Sequence, residues 1–234
     1  MAWARLRLAG TLLAFTLVVT STAVTHARPS LDSARLARLA AYDVLAFTDP
    51  FAGGLERGKA IGVFDATPEE VFRVASDYAK WKDYLPRVRG SRVISYTPSH
   101  ALVEMVADLP WPAGRSEVWA RYTEEKLPGQ IYRIRFDMVR GSMKKYLGSI
   151  YIEPWSPGKA ALTYQLVAEP GIFAPDSLVN RSVRRTAIGF VNALRQRIND
   201  LHRSGWLHPL EAPERRRPLS APITPDSVKA KLVR

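Results

Sequence analysis

Apolar and polar residues alternate through most of the middle of this chain. Residues 130–139 are the sharpest case: Tyr132, Ile134, Phe136 and Met138 fall on one side, Arg133, Arg135 and Asp137 on the other. A period of two with one apolar side predicts a strand with one buried face. The same alternation predicts strands over residues 89–96, 101–108, 115–124, 145–153 and 159–168, with a short one before them at 59–65, where Ile61 and Val63 share a side. Residues 175–202 change the period. Val179, Val183, Ala187, Phe190, Leu194, Ile198 and Leu201 recur every three or four residues, while Arg181, Arg184, Arg185, Arg195 and Arg197 occupy the other faces. That is a long amphipathic helix. Residues 31–47 carry helical spacing as well, from Leu31 through Leu39 to Val44 and Phe47. Thr67-Pro68-Glu69-Glu70 marks a helix start: an N-cap threonine, proline at the first position, and acids facing the dipole. This helix is expected to reach about Tyr78, with a second helical turn holding Trp81, Tyr84 and Leu85 before Pro86.

The order is strand, helix pair, six strands and one long helix. An antiparallel sheet with a single apolar face needs a cover, and only the last helix is long enough to supply one. The expected fold is α+β, a helix-grip arrangement in which a curved antiparallel sheet wraps around the C-terminal helix. The expected organisation is a leader at 1–27, a helical extension at 28–56, a ligand-binding domain at 57–205 and a basic proline-rich disordered tail at 206–234. Tyr132, Ile134, Phe136, Met138, Tyr146, Ile150, Tyr164 and Leu166 fall on the concave face, with Phe190 and Leu194 facing them from the helix. A filled core has little reason to hold three tyrosine hydroxyls on one inner surface, because buried hydroxyls need partners. A cavity with a ligand or water in it provides them.

The first residues change the picture of where the protein works. Arg5 and Arg7 precede an apolar run from Leu8 to Val19, followed by small residues and candidate cleavage sites after Ala23 or Ala27. Twelve apolar residues are too few to span a bilayer as a helix, and the pattern is that of a secretory signal. A periplasmic or secreted location is expected. The 234 residues carry a formal net charge of +12 and no cysteine. The absence of cysteine excludes disulfides, thiolate zinc sites, a cysteine nucleophile and cysteine-ligated iron–sulfur clusters. The basic surface calls for an anionic partner. Export and the lack of an interleaved aromatic–basic motif argue against nucleic acid, so an anionic membrane surface is expected, met peripherally by a monomer. Arg181, Arg184 and Arg185 near the start of the last helix, and Arg215-Arg216-Arg217 in the tail, are the candidate docking cations.

Several segments carry a family resemblance. Leu109-Pro110-Trp111-Pro112 resembles the Pro-Trp-Pro motif of START lipid-binding domains, and Gly148 with Ile152-Glu153-Pro154 has its counterpart there too. The most specific match runs from Ala168-Glu169-Pro170-Gly171 to Leu178-Val179-Asn180. The helix pair from Thr67 to Trp81 resembles the wider superfamily that includes polyketide cyclases and coenzyme Q-binding proteins. The resemblance covers roughly residues 57–205. START domains commonly follow Pro-Trp-Pro with Asp-Arg-Asp, whereas Arg115-Ser116-Glu117 stands here, so no buried charge pair is carried over. The resemblance implies a hydrophobic ligand, such as a lipid, sterol or quinone, held between sheet and helix and open to transfer from there. Trp111, Ile172 and Phe173 are expected to gate it, since the last two are apolar residues in a loop.

Catalytic motifs are weak. Gly53 to Lys59 has the spacing of a phosphate-binding loop, but Ala60 stands where Ser or Thr must hold magnesium. There is no Gly-x-Ser-x-Gly elbow and no His-Glu-x-x-His. His100, His202 and His208 lie in turns or at the end of the last helix, and Glu104, Glu117 and Asp137 fall on the solvated side of their strands. No catalytic residue, metal or cofactor is assigned, and a non-enzymatic binder is expected. Two other readings stay open: an aromatase or cyclase using cavity tyrosines as proton relays, and an adaptor with a filled core.

Overall fold

The computed structural model describes residues 31–109 and 114–207. The leader expected at 1–27, Trp111 with its prolines, and the Arg215 cluster lie outside the described residues. The chain runs α1 (Ser33–Ala40), β1 (Leu45–Pro50), β2 (Glu56–Phe64), α2 (Pro68–Ala75), α3 (Trp81–Tyr84), β3 (Val88–Tyr96), β4 (His100–Asp108), β5 (Arg115–Leu127), β6 (Ile131–Gly141), β7 (Met143–Ser156), β8 (Lys159–Pro170) and α4 (Asp176–Arg203). All eight strands form one antiparallel sheet in the order β1-β2-β8-β7-β6-β5-β4-β3. The curved sheet and the 28-residue α4 make the α+β helix-grip fold.

The helix expected over 31–47 is corrected. It ends at Ala40, and Tyr42 takes a positive φ of 62°, a conformation that cannot continue a helix. Leu45–Pro50 then pairs antiparallel with β2, Leu45 opposite Ile61 and Pro50 opposite Glu56. Residues 45–50 are therefore part of the sheet, not of a helical extension beside it. Pro50 is tolerated because β1 is an edge strand, where a missing N–H leaves no ladder partner unsatisfied. Gly53 and Gly54 form a tight turn with positive φ and lead into a strand, as a connector does and a phosphate loop does not.

Thr67 caps α2 with a full capping box: its hydroxyl accepts from the Glu70 N–H at 3.3 Å, and the Glu70 carboxylate accepts from the Thr67 N–H at 2.7 Å. α2 stops at Ala75, short of Tyr78, and Tyr78–Lys80 is a 3-10 turn before α3. Trp81 lies under this pair, its indole N–H donating to the Ala75 carbonyl at 3.1 Å.

Helix α4 does not ride evenly over the sheet. It packs on β2 and β8, and β2 carries glycines at the points of approach. A Cβ at Gly58 would stand 2.7 Å from Val183 Cγ1, and one at Gly62 2.5 Å from Val191 Cγ1. The helix backbone thus comes down on one side of the sheet, stripped of side chains where it lands. Asn180 fixes that landing, its amide oxygen accepting from the Glu56 N–H at 3.0 Å and its NH2 donating to the Gly54 carbonyl at 3.3 Å. Over β4 and β5, on the other side, the helix stands off.

Candidate functional site

The gap left between α4 and the far half of the sheet is a cavity of about 370 Å³. Its inner wall is Trp81 and Leu85 from the α3 region, Met105 from β4, Val118 from β5, Met143 and Tyr146 from β7, and Tyr164 and Leu166 from β8. Val179, Val183 and Phe190 of α4 close it. Alternation places these residues inward on every strand, and the four-residue spacing places the α4 residues on one stripe. The exposed members of the wall mark the opening: Pro86 and Arg87 before β3, and Leu178, Arg185 and Thr186 on α4.

Away from the mouth, the polar groups of the inner wall are hydroxyls. The Tyr122 and Tyr146 oxygens lie 3.3 Å apart, and the Tyr164 phenol stands beside that of Tyr146. Burial pushes Tyr146 up to about 12, and burial first, then the neighbouring phenols, holds Tyr122 and Tyr164 well above the ordinary tyrosine value. At neutral pH all three keep their protons, and so act as donors and acceptors of hydrogen bonds, not as bases. Ser116 is buried in the wall with its hydroxyl 3.0 Å from that of Ser142. Aromatic rings back this surface: Tyr164 stacks on Phe190 at 4.2 Å, and Phe136 lies 5.1 Å from Tyr146 and 5.4 Å from Tyr122.

Of the thirteen residues expected to meet the ligand, Tyr146, Tyr164, Leu166 and Phe190 line this cavity. Several others are placed elsewhere. Tyr132 sits beneath α2, stacked on Phe72 at 4.7 Å with its hydroxyl 3.4 Å from Glu69. Ile134, Ile150 and Leu194 are fully buried in the packed core, Phe136 forms the layer behind the tyrosines, and Met138 is half-buried at the core's edge. The filled part of the concave face is the part over β6 and β7 that α2 packs on, and the open part lies under the first half of α4. Ile172 and Phe173 lie outside the wall on the surface, Phe173 90% exposed, next to Ala174, which does line it. Trp111 lies outside the described residues. Of the docking arginines, Arg185 lines the mouth, while Arg181 and Arg184 are exposed away from it.

The pattern did not single out Trp81, Leu85, Met105, Val118 and Met143 as site residues, because their alternation is the same as that of core residues. Ala107, Ser116 and Ala168 on inner strand positions were the available signal, since small side chains facing inward leave room. Among the described residues, no cluster of three or more histidines or carboxylates is placed to hold a metal ion, and no helix is long and apolar enough to cross a membrane.

A family model described as polyketide cyclase / dehydrase and lipid transport matches residues 64–195, more than half of the sequence. Among solved structures, a STAR-related lipid transfer protein from Xanthomonas axonopodis is similar at 22% identity, over 67% of this chain and 93% of that one, with a TM-score of 0.61. Human StAR-related lipid transfer protein 5 is similar at 15% identity, over 68% of this chain and 83% of its own, with a TM-score of 0.58. The Zhui aromatase/cyclase from Streptomyces sp. R1128 follows at 13% identity, over 64% and 96%, with a TM-score of 0.54. At these identities the likeness is one of fold. No curated protein sequence matches the chain significantly.

Proposed function

The chain belongs to the polyketide cyclase / dehydrase and lipid transport family, and from that premise we propose that it binds one hydrophobic small molecule between its sheet and α4 and exchanges it at a membrane surface. The observation that carries the reading is the cavity itself. Its volume of about 370 Å³ falls at the lower end of the 300–1,000 Å³ range of ligand sites, and its wall has their composition, apolar and aromatic with a few polar groups. Burying a chain there needs no chemistry, since each buried methylene contributes about 0.8 kcal/mol. The size suits a single chain or a small ring system better than a lipid with two long chains.

Two observations bear on the alternatives. A cyclase needs a base to draw a proton from its substrate, and the tyrosines here hold their own protons firmly at neutral pH. An adaptor with a filled core would have no such space. Loading from a membrane is supported by the mouth's neighbours: Ile172, Phe173 and Leu178 are large apolar side chains exposed on the loop before α4 and on its first turn, and Arg181 and Arg184 follow them. The apolar tip would enter the leaflet while the arginines meet phosphate, a two-part anchor. The secretory signal expected at 1–27 supports this setting, since export would bring the protein to a membrane from outside the cytoplasm.

Filling the cavity tests the binding role. Ala168→Trp puts an indole into the space from β8. Displacement of Nile red by palmitate, sterol or quinone should be lost in this variant while its circular dichroism stays that of the parent. Undiminished displacement would place ligand binding elsewhere.

A further inference from the structure

The mouth of the cavity is charged asymmetrically, and the charge says what the outer end of the ligand must be. Arg87 and Arg185 both line the opening, one before β3 and the other on α4, so they face it from different walls. Both are exposed, and among the described residues neither has an ion pair or a side-chain hydrogen bond. One carboxylate lines the same region, Asp108, and it is already taken. The Arg89 Nε–H donates to it at 2.5 Å and Arg115 lies 3.4 Å from its other oxygen, and these two guanidiniums, Arg89 foremost, hold its carboxyl below the ordinary value. Four arginines therefore stand against one anion.

The position of Arg87 is also fixed. Its carbonyl accepts the Asp108 N–H at 2.8 Å, and its φ of 67° puts it in the left-handed region, uncommon for a residue with a side chain. The backbone thus presents this guanidinium at the opening through a constrained turn. Behind the two arginines the wall is apolar apart from the hydroxyls of Ser116, Ser182, Tyr146 and Tyr164.

We propose that the ligand is an amphipathic anion, a single apolar body carrying a carboxylate or a phosphate monoester, with its head group held between Arg87 and Arg185 at the mouth and its tail inside. This deepens the binding role proposed above and rests on it. A guanidinium presents paired N–H donors that match the oxygens of either head group. Two of them from opposite walls close over the head as the tail fills the space behind. Because both side chains reach solvent, the contribution of each is modest and screened by salt.

The test uses the full-length protein stripped of lipid, at low salt and with no bilayer present, so that membrane head groups play no part. Isothermal titration compares dodecanoate, dodecyl phosphate and dodecanol, three ligands with one tail. The two anions should bind about tenfold more tightly than the alcohol, and the tighter of them names the head group. Arg87→Gly removes a charge at a backbone position that glycine adopts freely, and Arg185→Gln removes the other on an exposed helix face. Each should narrow the anion preference about threefold, and the double variant should bring it near unity with dodecanol binding unchanged. Arg121→Gln, which takes a charge from the exposed side of β5, should leave the preference intact. The head-group assignment is overturned if dodecanol binds the parent as tightly as the anions, if the double variant keeps the preference, or if Arg121→Gln narrows it equally. Failure of all three ligands to bind overturns the binding role itself.

Discussion

Leu162 and Leu166 offer a controlled comparison across the cavity wall. They stand four residues apart on β8 with side chains on the same inner face, opposite Ile152 and Gly148 of β7. Both are buried, at 0% and 3% exposure. They differ in that Leu166 lines the cavity and Leu162 does not. Replacing either with alanine removes the same atoms. In packed cores that change costs about 2–5 kcal/mol, rising with the void it leaves. Leu162 has neighbours on every side, so its loss should fall high in that range, at about 4 kcal/mol. Leu166 already faces empty space, and atoms that touch nothing lose nothing when removed, so its loss should be about 2 kcal/mol. Urea unfolding of lipid-stripped protein resolves a difference of this size from the midpoint shift, provided the slope is unchanged. A ligand that fills the space gives Leu166 the contacts it lacks, so the two costs should converge when one is bound. Equal costs in the stripped protein would refute the reasoning, since they would mean that Leu166 is as tightly packed as Leu162.

Acid should weaken the fold through three carboxyls. Asp65 is held below its ordinary value by the Tyr42 hydroxyl and by Lys159, Asp108 by Arg89 and Arg115, and Glu125 by Arg133 and Arg135, which outweigh the upward push of its burial. Their contribution is complete above the ordinary values of 3.8 and 4.5 and is lost as pH falls through the depressed ones. The melting temperature should therefore hold from pH 7 to about 5 and decline below about 4; a flat profile down to pH 2.5 would contradict these assignments. At the membrane, Arg181 and Arg184 together should contribute about 2 kcal/mol on an anionic leaflet, so replacing both with glutamine should weaken co-sedimentation with anionic vesicles roughly thirtyfold at low salt. Unchanged co-sedimentation would remove their docking role. Ile172→Ser with Phe173→Ser should slow ligand exchange with vesicles while leaving affinity for a soluble ligand as it was; equal exchange rates would remove the apolar tip from the loading step.

Much of the fold could be read from the pattern because each element buries one face. The strands from β3 to β8 alternate cleanly, and the spacing in α4 admits no other structure. β1 was hidden because Val44 and Phe47 continue the spacing of α1, and because the residue that breaks the helix, Tyr42, has no reputation as a breaker. The site was legible only by class. Tyr146, Tyr164, Leu166 and Phe190 follow from the inward faces, yet so do Ile134, Ile150 and Leu194, which are core. Which part of the concave face stays open depends on where α2 packs and on how closely α4 rides on β2. That distance is set by Gly58 and Gly62 meeting Val183 and Val191, contacts between residues more than a hundred positions apart. Arg87 was missed for another reason: its importance comes from a backbone turn and from the prior commitment of Asp108, neither of which leaves a mark in a pattern of apolar and polar residues.

The account turns on the space between sheet and helix being a ligand site, and native mass spectrometry of the protein isolated from its own cells tests that most directly. The account predicts a one-to-one complex whose added mass is a hydrophobic molecule released by organic solvent, and it predicts that the stripped protein takes up one equivalent of a single-chain amphiphile. A bare protein mass in every preparation, unchanged after incubation with fatty acids, sterols and quinones, would contradict it.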